Sequence, residues 1–347
     1  MKQEGIATFE KQLYYRLIAL WVLCEGVLGG IMHSFKIPFT GIIVSGGAVI
    51  CICLIAYYVP IKGAVLKATI IVAIFKMMLS PHTPPTAYIA VFFQGMMGQI
   101  LFFNLRFFRL SCILLAVFAM VESAIQRIIV LTVLYGNDLW NAVNEFIKKV
   151  TSAPVVTNYA LIVATAYVVM HAFAGLLVGV FAGSIVWQSK SWSILHEEYL
   201  IPFNEQLIDA NLLVERKKKK KKIKYILIFI WIFLVALFVQ SYFNIGKPYL
   251  PSQIPLQIFL RSLLIILTWY FLLRPVLSYF IKKWLITQKA KSKNEIQQIL
   301  LLLPSARYIF NKSWQISGTE KGIKRISVFF KILLLNTLHN PNKLPNY

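Results

Sequence analysis

The stretch from Leu17 to His33, LIALWVLCEGVLGGIMH, is long enough to cross a bilayer, and it carries Glu25 near its middle. A carboxylate at membrane depth is expensive, and it turns toward protein or water rather than lipid. Gly26, Gly29 and Gly30 follow it, and glycines at such a place let another helix or a ligand approach the backbone. The first apolar segment therefore reads as one wall of a polar site inside a membrane bundle. It has no small-residue cleavage site and it contains Glu25, so it reads as a retained span and not a signal peptide.

Comparable runs recur along the chain. Its 347 residues are 58% hydrophobic and 14% charged, whereas a soluble domain is about 45–50% apolar and about 25% charged. With a mean hydropathy of +0.69, the chain falls in the integral membrane class. The expected fold is an all-α integral membrane protein with about eight transmembrane helices, near 17–35, 40–59, 63–80, 86–104, 110–134, 158–187, 225–243 and 256–281. Lys67 and Lys76 interrupt the third span, and Lys67 is placed to snorkel to the nearer interface.

Charge orients these spans. The N-terminal arm holds Lys2, Lys11 and Arg16, the second loop Lys62, and the fourth Arg106 and Arg109. The sixth holds Arg216 and the run Lys217 to Lys222. The alternate loops are poor in positive charge. With eight spans every basic loop falls on one side, so both termini are expected in the cytoplasm. The formal net charge of +23 then belongs to loops beside anionic lipid rather than to a nucleic-acid surface. The sequence divides into a six-helix bundle (1–190), a basic cytoplasmic linker (191–224), two further spans (225–285) and a basic amphipathic cytoplasmic tail (286–347). The tail stretches 294–310 and 322–338 have the texture of interfacial helices or of helices that dock a partner. Residues 137–150 form an external amphipathic helix, either a cap on the membrane surface or a plain connection.

The four cysteines, Cys24, Cys51, Cys53 and Cys112, lie in apolar runs and read as small buried hydrophobes. They imply no disulfide framework, and Cys51-x-Cys53 has no further ligand nearby to make a metal motif.

Polar residues at depth mark the candidate site. Glu25 and His33 share a face of the first span, and Lys76 lies in the third. Gln94 and Gln99 come from the fourth, Glu122, Gln126 and Arg127 from the fifth, and His171 from the sixth. The Pro-rich third loop (SPHTPPT) adds His82 and Thr83. Convergent polar groups in an apolar bundle are the usual build of a small-molecule pocket. The substrate-binding set is Glu25, His33, Lys76, His82, Gln94, Gln99, Glu122, Arg127 and His171. Alternatively, Glu122 pairs with Arg127 or Lys76 as a structural ion pair, and the glutamines and His171 serve as interhelical contacts. His33, His82 and His171 lie at similar depth but do not form a metal motif. There is no phosphate-binding glycine loop, no HExxH and no Gly-x-Ser-x-Gly, so a non-enzymatic role without a cofactor is expected.

The segments WVLCEGVLGGIMHSFKIPFTGIIVSGGAV (21–49) and SPHTPPTAYIAVFFQGMMGQILF (80–102) resemble the substrate-binding S component of energy-coupling factor (vitamin-type) transporters. The resemblance covers the first six spans. It implies uptake of a small polar metabolite from the external side of the cytoplasmic (inner) membrane, with a transmembrane coupling subunit and ATPases as partners. Where S components often carry an Ala-x-x-x-Ala pair for that subunit, the nearest small pair here is Gly26 and Gly30. Two alternatives remain. One is an intramembrane enzyme acting on a lipid-linked substrate, with Glu25 or His171 as base. The other is a membrane assembly subunit that recruits a soluble partner through its basic tail.

Overall fold

A computed structural model describes residues 2–29, 40–80, 83–151, 158–195, 199–201, 223–242 and 254–338. His33, His82 and the lysine run 217–222 lie outside the described residues. Among the described residues every regular element is helical. These are α1 (Lys2–Val22, continued by a π turn, Leu23–Leu28), α2 (Thr40–Tyr58), α3 (Ala64–Leu79), α4 (Pro85–Leu101), α5 (Phe108–Tyr135) and α6 (Asn137–Thr151). After them come α7 (Tyr159–Leu195), α8 (Ile223–Tyr242), α9 (Ile254–Thr268, with a π turn at Trp269–Leu273), α10 (Arg274–Lys291), α11 (Lys293–Ile316) and α12 (Gly322–Leu338).

Local chemistry sets the breaks. Gly63, at φ 82°, turns the chain between α2 and α3, and Gly136, at φ 65°, separates α5 from α6; both conformations are unfavourable with a Cβ. Pro85 opens α4, where its missing N–H leaves no helical bond unmade. Asn104 accepts from the Arg106 amide before α5. Asn158 accepts from the Leu161 amide at the start of α7, as an N-cap does.

Among the described residues four helical stretches are long and apolar enough to cross a membrane: Thr40–Tyr58, Leu105–Tyr135, Tyr159–Ser189 and Phe259–Lys291. The last three expose apolar side chains, among them Ile129, Leu161, Phe173, Leu177 and Phe280. Such continuous exposed apolar surface is rare on soluble monomers and is compatible with a membrane protein. The described parts of the other segments expected to span are helical too, but α3, at 16 residues, is only about 24 Å long. On the amphipathic α6 no residue is buried, and Phe146 and Val150 on its apolar side are exposed.

The helices form two compact units, each discontinuous in sequence. The first holds α1 to α4, α5 up to Val121, α7 from His171, and the chain from Lys283 through α12. The second holds α5 from Glu122, α6, α7 up to Met170, α8, α9 and α10 up to Lys282.

In the first unit α1 is central. Every residue from Leu17 to Leu23 is buried, because α2, α3, α11 and α12 all pack on this helix. The C-terminal helices, which the sequence places in a separate tail, thus cover the first helix. Glu295 at the start of α11 pairs with Lys67 at 2.7 Å. The Lys67 hydrogen bond holds the Glu295 carboxyl below its usual range. From there α11 extends to the π turn of α1. Phe310, Trp314 and Phe329 form edge-on ring contacts between α11 and α12, and Arg325 lies 4.3 Å above the Trp314 ring. Asn336 ties α12 to the Tyr199 carbonyl and the Ile201 amide.

One end of this unit gathers several helix termini. The Tyr14 hydroxyl donates to the Ala64 carbonyl at 2.8 Å. Gln99 accepts from the Leu66 amide, and Tyr58 shares a hydrogen bond with Ser189. Tyr57, Phe102, Phe108 and Trp187 cluster there, with Arg109 stacked 4.6 Å from the Trp187 ring. The second and fourth loops and the Ser189 end of α7 therefore lie together.

In the second unit the Arg261 guanidinium lies over Gly136 and 3.8 Å from Asp138, and Ser262 donates to the Leu134 carbonyl. Trp231 on α8 donates to Thr268 on α9 at 2.9 Å.

Candidate functional site

Two buried polar contacts of the first unit lie among α1, α2, α3 and α4, one joining α1 to α3 and the other α4 to α2. Helices α1 and α3 run side by side in the same direction, fixed by Tyr14 on Ala64 at one end and by Gly26 beside Leu79 at the other. A Cβ on Gly26 would stand 3.1 Å from Leu79 Cδ1, so glycine is what permits the approach. The π turn presents Glu25 toward α3, where Lys76 Nζ lies 2.5 Å from its Oε2. The two side chains are only 3% and 10% exposed. Two charges removed from water to this degree are stable only as partners, and losing one leaves the other buried and uncompensated.

Helix α4 adds the second polar contact. Its inner face carries Tyr88, Val91, Gln94, Gly95 and Gly98, all buried. Gly95 lies against Thr69 of α3 so closely that a Cβ would overlap that side chain, and a Cβ on Gly98 would come 2.6 Å from Ile52 Cγ2. This close seating brings Gln94 to Ser45 of α2, and its Nε2 donates to the serine oxygen at 3.1 Å. Three polar tips of the same helix group lack hydrogen-bond partners: Gln94 Oε1, the Tyr88 hydroxyl and Trp21 Nε1. Gln94, Tyr88 and Trp21 are 1%, 3% and 0% exposed. An unsatisfied buried polar group costs about 1–3 kcal/mol, so three within one unit are a sizeable cost to its stability.

The expected site residues separate on this frame. Glu25 and Lys76 form the ion pair, Gln94 the second contact, and His171 is buried within the same unit at 2% exposure. Gln99 stands apart, at the α3 terminus, where it accepts the Leu66 amide. Glu122 and Arg127 belong to the second unit. Pairing of Glu122 with Arg127 or Lys76 is not what the structure has. Gln126 donates to Glu122 at 3.3 Å one turn along α5, Arg127 is exposed, and Lys76 is taken by Glu25 because α1 lies alongside α3. His33 and His82 lie outside the described residues. Among the described residues no group of three or more His, Cys, Asp or Glu side chains is placed to hold a metal.

Sequence reasoning missed Ser45, Tyr88 and Trp21. Tyr88 was detectable in principle, since it stands six residues before Gln94 and one turn before Val91 on the face that Gly95 and Gly98 mark as closely packed. That Cys24 neighbours Cys51 was also missed, because cysteine in an apolar run looks the same whether or not it faces another cysteine.

In chemical terms these helices offer a charge-compensated ion pair and, elsewhere among them, neutral donor and acceptor tips, all buried. No protein-family model, curated protein or solved structure matches the chain.

Proposed function

We propose that this chain is a multi-pass protein of the cytoplasmic (inner) membrane that binds a small polar metabolite of the vitamin or precursor class. The metabolite enters from the external side, and the chain acts as an uptake component. The observation that carries this reading is the set of buried polar groups on α1 to α4: the Glu25–Lys76 pair, the Gln94–Ser45 contact and the unpartnered tips of Tyr88, Gln94 and Trp21. Polar groups concentrated between apolar helices fix and orient a polar ligand in membrane pockets.

The proposed topology has eight spans, formed by α1, α2, α3, α4, α5, α7, α8 and α9 with α10, and both termini are cytoplasmic. The shared end of the first unit supports it. Lys62 belongs to the second loop and Arg106 to the fourth, and these loops lie together with Arg109 at the start of α5, as the positive-inside rule requires of one membrane face. The chain carries no phosphate-binding loop, so ATP hydrolysis in this scheme belongs to partner proteins. In this scheme a coupling subunit would dock on the first helix, part of whose surface α11 and α12 already cover.

The test is thermal unfolding of the purified protein across a panel of vitamins and their precursors, with mass spectrometry of co-purified small molecules. A compound that raises the unfolding temperature of the wild type but not of Gln94→Leu supports the reading. No shift with any compound, together with no bound metabolite, overturns it.

A further inference from the structure

The four cysteines of the chain fall into two neighbouring pairs: Cys51 on α2 neighbours Cys24 of the π turn, and Cys53 on α2 neighbours Cys112 on α5. Cys51 and Cys53 are two residues apart and so point to opposite sides of α2, one toward each neighbouring helix.

The first pair has independent geometric support. Gly47 lies one turn before Cys51 on α2, and a Cβ there would stand 3.0 Å from the Cys24 sulfur and 3.3 Å from its Cβ. The Cys24 side chain therefore rests on the α2 turn that carries Cys51, with the helices drawn together by the glycine. A disulfide spans only about 4.4–6.8 Å between Cα atoms, and such close approach is what it needs. Cys24 also sits in the π turn, next in sequence to Glu25, and π turns concentrate at functional positions.

Chemistry decides between the two uses of a dithiol. A soft monovalent cation held by two thiolates leaves a net negative charge among apolar helices, beside a carboxylate whose own charge is already compensated by Lys76. A disulfide leaves none. We propose that Cys24 and Cys51 form a reversible dithiol–disulfide couple that fastens α1 to α2 beside the Glu25–Lys76 pair. In the oxidation each thiol gives up its proton, the S–S bond forms, and two electrons and two protons pass to a membrane-permeant two-electron acceptor. A quinone leaves as its hydroquinone, a diazene as its hydrazine. Cys24 is half-buried and is the thiol reached first, whereas Cys53 and Cys112 are fully enclosed and remain reduced.

The full-length protein in lipid nanodiscs, treated with the diazene diamide, tests the couple. Thiols are counted by alkylation after denaturation, and linked peptides are identified by mass spectrometry. The expected result is a fall from four free thiols to two, a Cys24–Cys51 linked peptide, and a raised unfolding temperature, all reversed by dithiothreitol. Cys51→Ala and Cys24→Ala abolish the linkage and Cys53→Ala leaves it intact. Four thiols that persist after treatment, or linkages scattered between Cys24, Cys112 and other molecules, overturn the proposal.

Discussion

At the scale of single residues, the Glu25–Lys76 pair dominates the first unit. Glu25→Gln preserves shape but leaves a buried ammonium group without its counter-charge, and a loss of about 3–5 kcal/mol in stability is expected. Replacing both partners, as Glu25→Gln with Lys76→Met, removes both charges, and most of that loss should be recovered. Denaturant or thermal unfolding of the three proteins in one detergent measures this. A single variant as stable as the wild type would show that the pair does not contribute to folding. The sequence allowed the cost of Glu25 and Lys76 to be read, since both are ionisable groups within apolar runs. It did not reveal that they meet, because their partnership depends on α1 lying alongside α3, a contact between residues 51 positions apart. For the same reason Gln99 and Gln94, five residues apart on one helix, looked equivalent although one contacts Ser45 and the other the start of α3.

At the scale of elements, the packing of α5 on α7 depends on glycines at fixed intervals. Gly175, Gly179 and Gly183 recur every fourth residue and form one stripe along α7. A Cβ on Gly179 would fall 2.5 Å from Ile113 Cα, and one on Gly175 2.8 Å from Val117 Cα, both backbone positions that cannot swing aside. At Gly183 the nearest atom, Arg109 Cα, is 3.5 Å away. Gly179→Ala is therefore expected to destabilise by about 1–3 kcal/mol through overpacking, while Gly183→Ala is near neutral. Unfolding temperatures of the two alanine variants compared side by side decide it, and equal effects would argue against backbone contact as the cause. The positions of the helices themselves were readable, because apolar runs of spanning length ended by Gly63, Pro84–Pro85 and Gly136 leave little choice of boundary. What escaped was the arrangement of α11 and α12. Lys and Arg mixed with an apolar face describe equally a helix on a membrane surface and one whose apolar face is covered by another helix.

At the scale of the whole molecule, the two ends of the chain complete one unit. A protein ended at Lys291 lacks α11 and α12 and leaves the buried side of α1 uncovered along Leu13 to Leu23. Such a chain is expected to lose its sharp unfolding transition and to be cut rapidly by protease. Size-exclusion profiles and limited proteolysis measure this. If the C-terminal helices only recruited a partner, the shortened protein would elute and melt as the full-length one does. Because the cover of the first helix comes from the last two, the order of synthesis also matters. The ribosome makes α1 271 residues before α11 begins (Val22 to Lys293). At about 5–20 residues per second, α1 waits roughly 14 to 54 seconds for its partners. During that interval this side of α1 lacks its native cover, and the first unit is complete only once α11 and α12 have been made.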